Sequence, residues 1–432
     1  MTWSEVPLRS LYRRVEESGR PDLPLLSVYR DYGVVLREGR DDNYNKPSAD
    51  LSKYKIVHRR DLVINKMKAW QGSLGVSDYD GIVSPAYFVG HPTGDADHRY
   101  MHHLLRSSPV IAEYGGRSKG IRPSQWDLSW DEFASIKVRL PTTDTQRRLA
   151  NYLDTETARI DALISKKRHL IKLLDERRYN FVSAAMTMGL EKNRELVDTR
   201  NRLIPRIPKR WRLMRLRHVV EQIIDTPHKT APVVDDGEYL VVRTSNVKMG
   251  RLVLDGARYT DRASWLEWNH RGEPRPGDVL LTREAPAGEA CIVPPNVRLC
   301  IGQRMVLLRV GQAIVSGEWV VHSIYSEHAQ RFIRDLSNAT TVAHLNMGDI
   351  PDIPVAVPDL REQQQLLIRI QSEVRRHDKT VSRLNNQIDL LAERRQALIA
   401  AVVTGEMPMP EDAVTTALGG NDCRAHLGRV IE

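Results

Sequence analysis

Apolar residues recur at alternating spacings of three and four between Thr143 and Gly189: Leu149, Leu153, Ile160, Leu163, Leu170, Leu174 and Phe181. Glu156, Lys167 and Arg177 interrupt the row. Such spacing predicts one long helix with a seam for a partner helix. Thr143 and Gln146 fit a capping box at its start, and Gly189 suits its stop. At about 1.5 Å per residue the helix would be roughly 68 Å long, too long for an ordinary globular helix. The same layout returns from Pro358, 217 positions on, pairing Gln146 with Gln363, Leu149 with Leu366 and Leu174 with Leu391. The run Glu176-Arg177-Arg178 likewise pairs with Glu393-Arg394-Arg395. The second row is Leu367, Ile370, Val374, Val381, Leu384, Ile388, Leu391 and Leu398, with Asp359 and Glu362 as its capping box and Gly405 as its stop.

The remaining chain changes period. Short apolar runs alternate with Gly, Pro, Asp and Asn, the signature of strands and turns. Strands are predicted at 61–66, 86–89 and 136–140, and a helix at Tyr100–Glu113. The second irregular region follows the first in order: Leu216-Arg217 matches Leu8-Arg9, 278–283 matches 61–66, and 353–357 matches 136–140. An internal repeat of this kind sets the architecture before any other consideration. The reading is an α+β chain: a globule over 1–141, a long helix over 142–190, a second globule over 191–357, a second helix over 358–407, and a loose tail over 408–432. Residues 190–205 read as a polar connector. Two amphipathic helices in one chain are expected to pack antiparallel as a coiled coil, giving a pseudo-twofold molecule with its globules on a spacer. Pairing of each helix with its copy in a second chain is the alternative.

Composition adds a direction. The chain has 432 residues, 41% of them hydrophobic and 28% charged, as in globular proteins. Its net charge of +9 points towards an acidic partner such as nucleic acid. Three cysteines, Cys291, Cys300 and Cys423, supply neither a disulfide framework nor a zinc site. The first residues contain no apolar stretch of a signal peptide, and no run reaches membrane-span length, so a cytoplasmic protein is expected. Two similar, non-identical heads on a fixed spacer suit a two-part target; half-sites on one face of DNA recur about every 34 Å.

Candidate contacts follow from side chains that can meet phosphates or bases. In the first head these are Lys66, Lys68, Trp70 and Gln71 around the turn Gly72–Gly75, then Arg117, Lys119 and Arg122 in a basic glycine-containing loop. In the second head they are Arg243, Asn246 and Lys248 at a strand exit, with Arg283, Arg304 and His344. Lys66 and Arg283 are 217 positions apart and would place a cation at one shared position. The bland alternatives are a core tryptophan, solvated lysines and a structural histidine.

Catalytic signatures are missing from the sequence. It has no phosphate-binding loop of the G-x-x-x-x-G-K-[ST] type and no G-x-G-x-x-G fingerprint. It also lacks an Asn-Pro-Pro-aromatic stretch, a carboxylate pair spaced for metal-dependent cleavage, and a metal-ligand pattern around His102-His103. A non-catalytic binding protein without a cofactor is therefore expected. A coiled-coil scaffold with protein-binding heads is the alternative, and a self-contained DNA nuclease or methyltransferase a more distant one.

At this point the residues resemble a known family. The stretch INKMKAWQGSLGVSDYDGIVSPAYFV within Asp61–Val89, the ending TTVAHLNMGDIPDIPVAVP of Thr340–Pro358 with Glu362-Gln363, the Glu-Arg-Arg turns and the closing Thr404–Glu406 are similar to specificity (S) subunits of type I restriction-modification systems. The resemblance implies two target recognition domains, each reading half of a bipartite double-stranded DNA site. It implies an antiparallel coiled coil that sets the gap and docks methyltransferase (M) subunits, two of them, which carry the S-adenosylmethionine chemistry. Restriction (R) subunits would join that complex, part of a phage-defence system, with no membrane contact. It assigns no individual base reader.

Overall fold

Leu62 and Ile64 point into one buried cluster and Val63 into another, the alternation of a strand covered on both faces. The same alternation places Val279 and Leu281 in one cluster and Leu280 in a second. These strands are central to two mixed helix-and-strand units, described in a computed structural model for residues 3–38, 47–120, 126–191, 193–227, 229–311, 313–337 and 344–407. The predicted tail over 408–432 lies outside the described residues.

The first unit comprises the described residues of Met1–Lys167 and of Asn385–Glu432. Its strands are β1 (Ser4–Pro7), β2 (Tyr12–Val15), β3 (Leu26–Tyr29), β4 (Gly33–Leu36), β5 (Lys55–Val57), β6 (Leu62–Asn65), β7 (Leu74–Val76), β8 (Gly81–Val83), β9 (Tyr87–Pro92) and β10 (Lys137–Leu140). The main sheet has the order β2-β9-β6-β7, beside the pairs β1–β10, β3–β4 and β5–β8. Helices α1 (His98–Leu105), α2 (Ser108–Arg117) and α3 (Trp130–Ser135) cover it. One helix was expected over Tyr100–Glu113; two form because Ser107 is extended and Pro109 sits in the first turn of α2, where it lacks an N–H to continue the ladder.

Helix α4 (Thr143–Met188) begins in this unit. Leu149 and Leu153 share a core with Ile399, Val402 and Val403, which belong to a later long helix. Farther along, Asp161 pairs with Arg395 at 3.0 Å, and Lys167 Nζ donates to Gln387 Oε1 at 2.7 Å. One index falls as the other rises, so within this unit the segments run antiparallel. The apolar row drifts from the strict heptad: Leu163 is 48% exposed, while Ile164 is 9% exposed and takes the inward place. A straight α-helix has 3.6 residues per turn, and that mismatch moves a 3.5-residue stripe round the helix.

The second unit comprises the described residues of Arg168–Leu384. The connector expected over 190–205 contains β11 (Leu196–Asp198), which forms a hairpin with β12 (Arg206–Pro208) just beyond it. Then follow β13 (Arg212–Arg215), β14 (Gln222–Asp225), β15 (Tyr239–Val242), β16 (Val247–Lys248), β17 (Arg251–Leu252), β18 (Arg258–Thr260), α5 (Arg262–Trp268), β19 (Val279–Thr282), β20 (Ala290–Ile292), β21 (Leu299–Ile301), β22 (Met305–Arg309), α6 (Gly317–Ile324), α7 (Glu327–Ser337) and β23 (Pro354–Val357). The main sheet has the order β14-β22-β19-β20, with β13–β23 and β16–β17 as pairs and β18-β15-β21 as a small sheet. Helix α8 (Leu360–Thr404) starts here. Its Leu366, Leu367 and Ile370 share a core with Val182, Ala185 and Met186 of α4, and His377 meets Asp175 at 2.9 Å.

The helix ends are partly as expected. Gly189 and Gly405 take positive φ, 71° and 79°, and stop the two long helices. Asp359 Oδ1 accepts from the Glu362 amide at 2.8 Å, half of a capping box. Glu362 itself turns to Arg194 and to the Trp211 indole. Gln146 makes no box either. Its Oε1 accepts from the Asp97 amide at 2.9 Å, and its Nε2 donates to the Pro141 carbonyl at 2.8 Å.

Candidate nucleic-acid interface

Each unit places charged side chains where the central strand of its main sheet ends. In the first unit β6 leads into Lys66, whose carbonyl accepts from the buried Leu128 amide at 3.1 Å. In the second unit β19 leads into Arg283, whose carbonyl accepts from the buried Leu345 amide at 2.9 Å. The two cations thus stand at equivalent backbone positions. Their side chains differ. Lys66 Nζ pairs with Asp127 at 2.9 Å and remains about one-third exposed. Arg283 is buried; its Nε donates to Leu345 O at 3.0 Å and its guanidinium faces Asp225 at 3.4 Å. An arginine so enclosed is a structural cross-link, with little charge left to offer a phosphate.

The other candidates separate in the same way. Lys68 and Gln71 are exposed beside a short 3-10 turn, and Lys68 meets no carboxylate among the described residues. Trp70 is half-buried, edge-on to Trp126 with ring centres 5.2 Å apart, and its indole N–H has no acceptor among the described residues. Arg117 binds Glu113 and the Ser135 hydroxyl, and Lys119 pairs with Glu132 at 2.9 Å. Arg122 lies outside the described residues. In the second unit Arg243 donates to the Gly256 carbonyl at 2.9 Å. Asn246 is not a surface group: it is fully buried, accepts from the Arg243 amide and donates to Val253 O. Lys248 is exposed and meets no carboxylate among the described residues. Arg304 and His344 converge on Glu284, at 3.3 and 2.7 Å.

Sequence reading named the cations and missed the acids that neutralise them, Asp127, Asp225, Glu132 and Glu284. Their spacing from the cations, up to 61 positions, gives no local signal. A buried carboxylate behind each sheet was equally hidden. Asp61 accepts from the His58 amide and His91, both at 2.8 Å; burial raises its pKa, and those two bonds act against the rise. Asp278 accepts from the Arg275 amide at 2.9 Å and from Arg309 at 3.1 Å. These residues shape the strand ends from within. The described residues hold no cluster of three metal-ligating side chains and no helix long and apolar enough to cross a membrane.

No family model matches the chain. It is similar to the type I restriction enzyme EcoBI specificity subunit of Escherichia coli, 21% identical over 278 residues, covering 62% of this chain and 58% of that relative. The chain therefore spans less than two-thirds of that relative's length. The type I restriction enzyme EcoDI specificity subunit of Escherichia coli is 19% identical over 324 residues, 71% of this chain and 70% of the relative. Among solved structures, a chain from a study of complex assembly and conformational transition in a type I R-M system superposes with a TM-score of 0.67. It is 16% identical, over 94% of this chain and 98% of that one, a likeness of fold. The resemblance to specificity subunits drawn from the sequence is borne out by these similarities.

Proposed function

We propose that this chain is the DNA-specificity subunit of a type I restriction-modification complex. Each unit reads one half of a bipartite double-stranded site. The long helices form an antiparallel coiled coil that fixes the gap, and the molecule is built on an internal, pseudo-twofold repeat. The chain itself catalyses nothing; adenine methylation belongs to two docked methyltransferase subunits, and restriction subunits join through that complex. The observation that carries the reading is the match to two specificity subunits from Escherichia coli.

Four features support it. Both units use one strand pattern, β2-β9-β6-β7 in the first and β14-β22-β19-β20 in the second. Each unit contains a stretch of both long helices packed on one another. Each also leaves apolar helix residues uncovered: Leu163 and Leu390 in the first, Leu170, Leu173 and Ile368 in the second. Uncovered leucines on a helix suit a protein partner. The net charge of +9 favours the approach of a polyanion. The test is to map methylated adenines in host DNA with and without this gene. A two-part motif methylated only when the gene is present is expected; methylation that ignores the gene contradicts the reading.

A further inference from the structure

Gly33 and Gly250 are 217 positions apart, and both take positive φ, 75° and 81°. Each closes a hairpin. In the first unit β3 and β4 flank the tip Arg30-Asp31-Tyr32, with Tyr29 opposite Gly33. In the second unit β16 and β17 flank the two-residue tip Met249-Gly250, with Lys248 opposite Arg251. Both tips rest on the edge strand of the main sheet. The Cα of Gly33 is within 3.1 Å of where a side chain on Gly75 of β7 would begin, and Gly250 bridges Cys291 of β20.

Each tip is held by the residue that ends a helix later in its own unit. Arg106 closes α1, and its half-buried guanidinium donates to Leu74 O at 2.8 Å, Arg30 O at 2.7 Å and Tyr29 O at 3.3 Å. Tyr325 closes α6, and its hydroxyl accepts from the Gly250 amide at 3.0 Å and the Ala290 amide at 3.1 Å. Glu289 adds a second hold on the latter tip, accepting from the Met249 amide at 2.7 Å and from Tyr325 at 2.6 Å. A side chain on Gly33 would meet His102 and Arg106; one on Gly250 would meet Val321 and Tyr325. Arginine and tyrosine thus do one job by different chemistry.

What these tips present is the residue just before the glycine. Tyr32 is 53% exposed and Met249 is 60% exposed. Met249 sits at φ 48°, a left-handed conformation that is unfavourable for a residue with a side chain. Both side chains keep more than half of their surface in solvent on anchored tips, and Tyr32 also meets Tyr29 edge-on, with ring centres 6.2 Å apart. Both residues directly precede the tip glycine, 217 positions apart, and the side chain differs, which is the pattern of a reading position. Lys248, exposed at the foot of the second tip, suits a phosphate backbone, whereas Arg30 in the first tip is exposed but paired with Asp31 at 2.9 Å.

We infer that Tyr32 and Met249 are the paired groove contacts of the two units, set in place by Arg106 and Tyr325 as positioning residues. The partner is double-stranded DNA, met through base edges, where an apolar side chain packs against a thymine methyl group or a base step. The inference rests on the proposed specificity role. It is tested by mapping methylated adenines in cells carrying the unaltered gene, Tyr32→Ala, Met249→Ala or Tyr325→Phe. Each alanine substitution is expected to change one half of the motif only, by relaxed base choice or an at least tenfold fall in methylation of cognate sites. Tyr325→Phe should change the same half as Met249→Ala at an unchanged level of folded protein. Motifs identical to the unaltered gene's in both halves would overturn the inference while leaving the specificity role standing. A hairpin whose substitution alone is silent is excluded as a reader. No gene-dependent motif from the unaltered gene would overturn both.

Discussion

The two units solve one structural problem with different amounts of freedom at different depths. Gln146 and Gln363 are the same residue and share two bonds: each donates from Nε2 to a proline carbonyl five positions back, and each accepts at Oε1 from a distant backbone amide, Asp97 or Ser316; Gln363 also donates to the Ile314 carbonyl. Asp61 and Asp278, as deeply buried, are again identical and each closes a turn, but their side-chain partners have changed from His91 to Arg309. Farther out, Lys66 has become Arg283, and its acid has moved to another element. At the hairpin tips Tyr32 has become Met249. The anchor of the long helix is therefore constant and the solvent-facing tip is not. A molecule built to keep spacing while changing what is read would be graded in this direction.

The comparison predicts an unequal pair of losses at the two aspartates. Asp278 and Arg309 are both buried, so Asp278→Ala strands a buried guanidinium and should cost about 3–5 kcal/mol. Asp61 is as deep, but its partner His91 is half in solvent, so Asp61→Ala should cost less, about 1–3 kcal/mol. Denaturant unfolding of the two variants gives both numbers. Equal losses would mean that the deeper layers of the units do not differ as described.

Acid should also separate the units. His102 is held down to about 3 by burial and then by Arg106, and burial takes His322 and His328 down to about 4. Their ordinary value is 6.5. The unfolded chain therefore takes up these protons first, so stability is full above about pH 6.5 and falls as pH drops towards 4. The second unit contains two strongly shifted histidines; the first contains one, and burial lowers its His98 to a smaller extent. Hydrogen exchange followed between pH 7.5 and 5 should show protection lost faster in the second unit's main sheet. Equal loss in both would contradict the assignment.

The smallest effect is expected at Lys66. Its ion pair with Asp127 is partly exposed, so Lys66→Ala should leave stability within about 0.5 kcal/mol. If the ammonium meets a phosphate, binding weakens on all sequences alike, and the salt slope falls by about one. Arg283→Ala should instead lower stability, because it empties a buried cross-link. Unchanged affinity and slope for Lys66→Ala would make that pair purely structural.

The long helices and the central strands were legible because their signals are local: a seam recurring along one helix, a period of two in a strand, glycines at the ends. The contacts were not. Asn246 looks polar and available in sequence, yet it is turned inward by the turn it closes. Tyr32 reads as one residue of an ordinary Asp-Tyr-Gly turn. The tip that carries it is tied to Arg106, more than 70 positions away, whose long side chain reaches three carbonyls. The trace that could have been followed is the glycine pair, Gly33 and Gly250, spaced like the helices. Leu163 was placed inward by a strict heptad; the true helix period gives that place to Ile164.

The central claim is that the long helices measure while the units read. Inserting one helical turn into α4 and mapping methylated adenines in host DNA tests it most directly. A longer or shorter gap between two half-sites of unchanged sequence is the predicted result. Altered bases at an unchanged gap would contradict it.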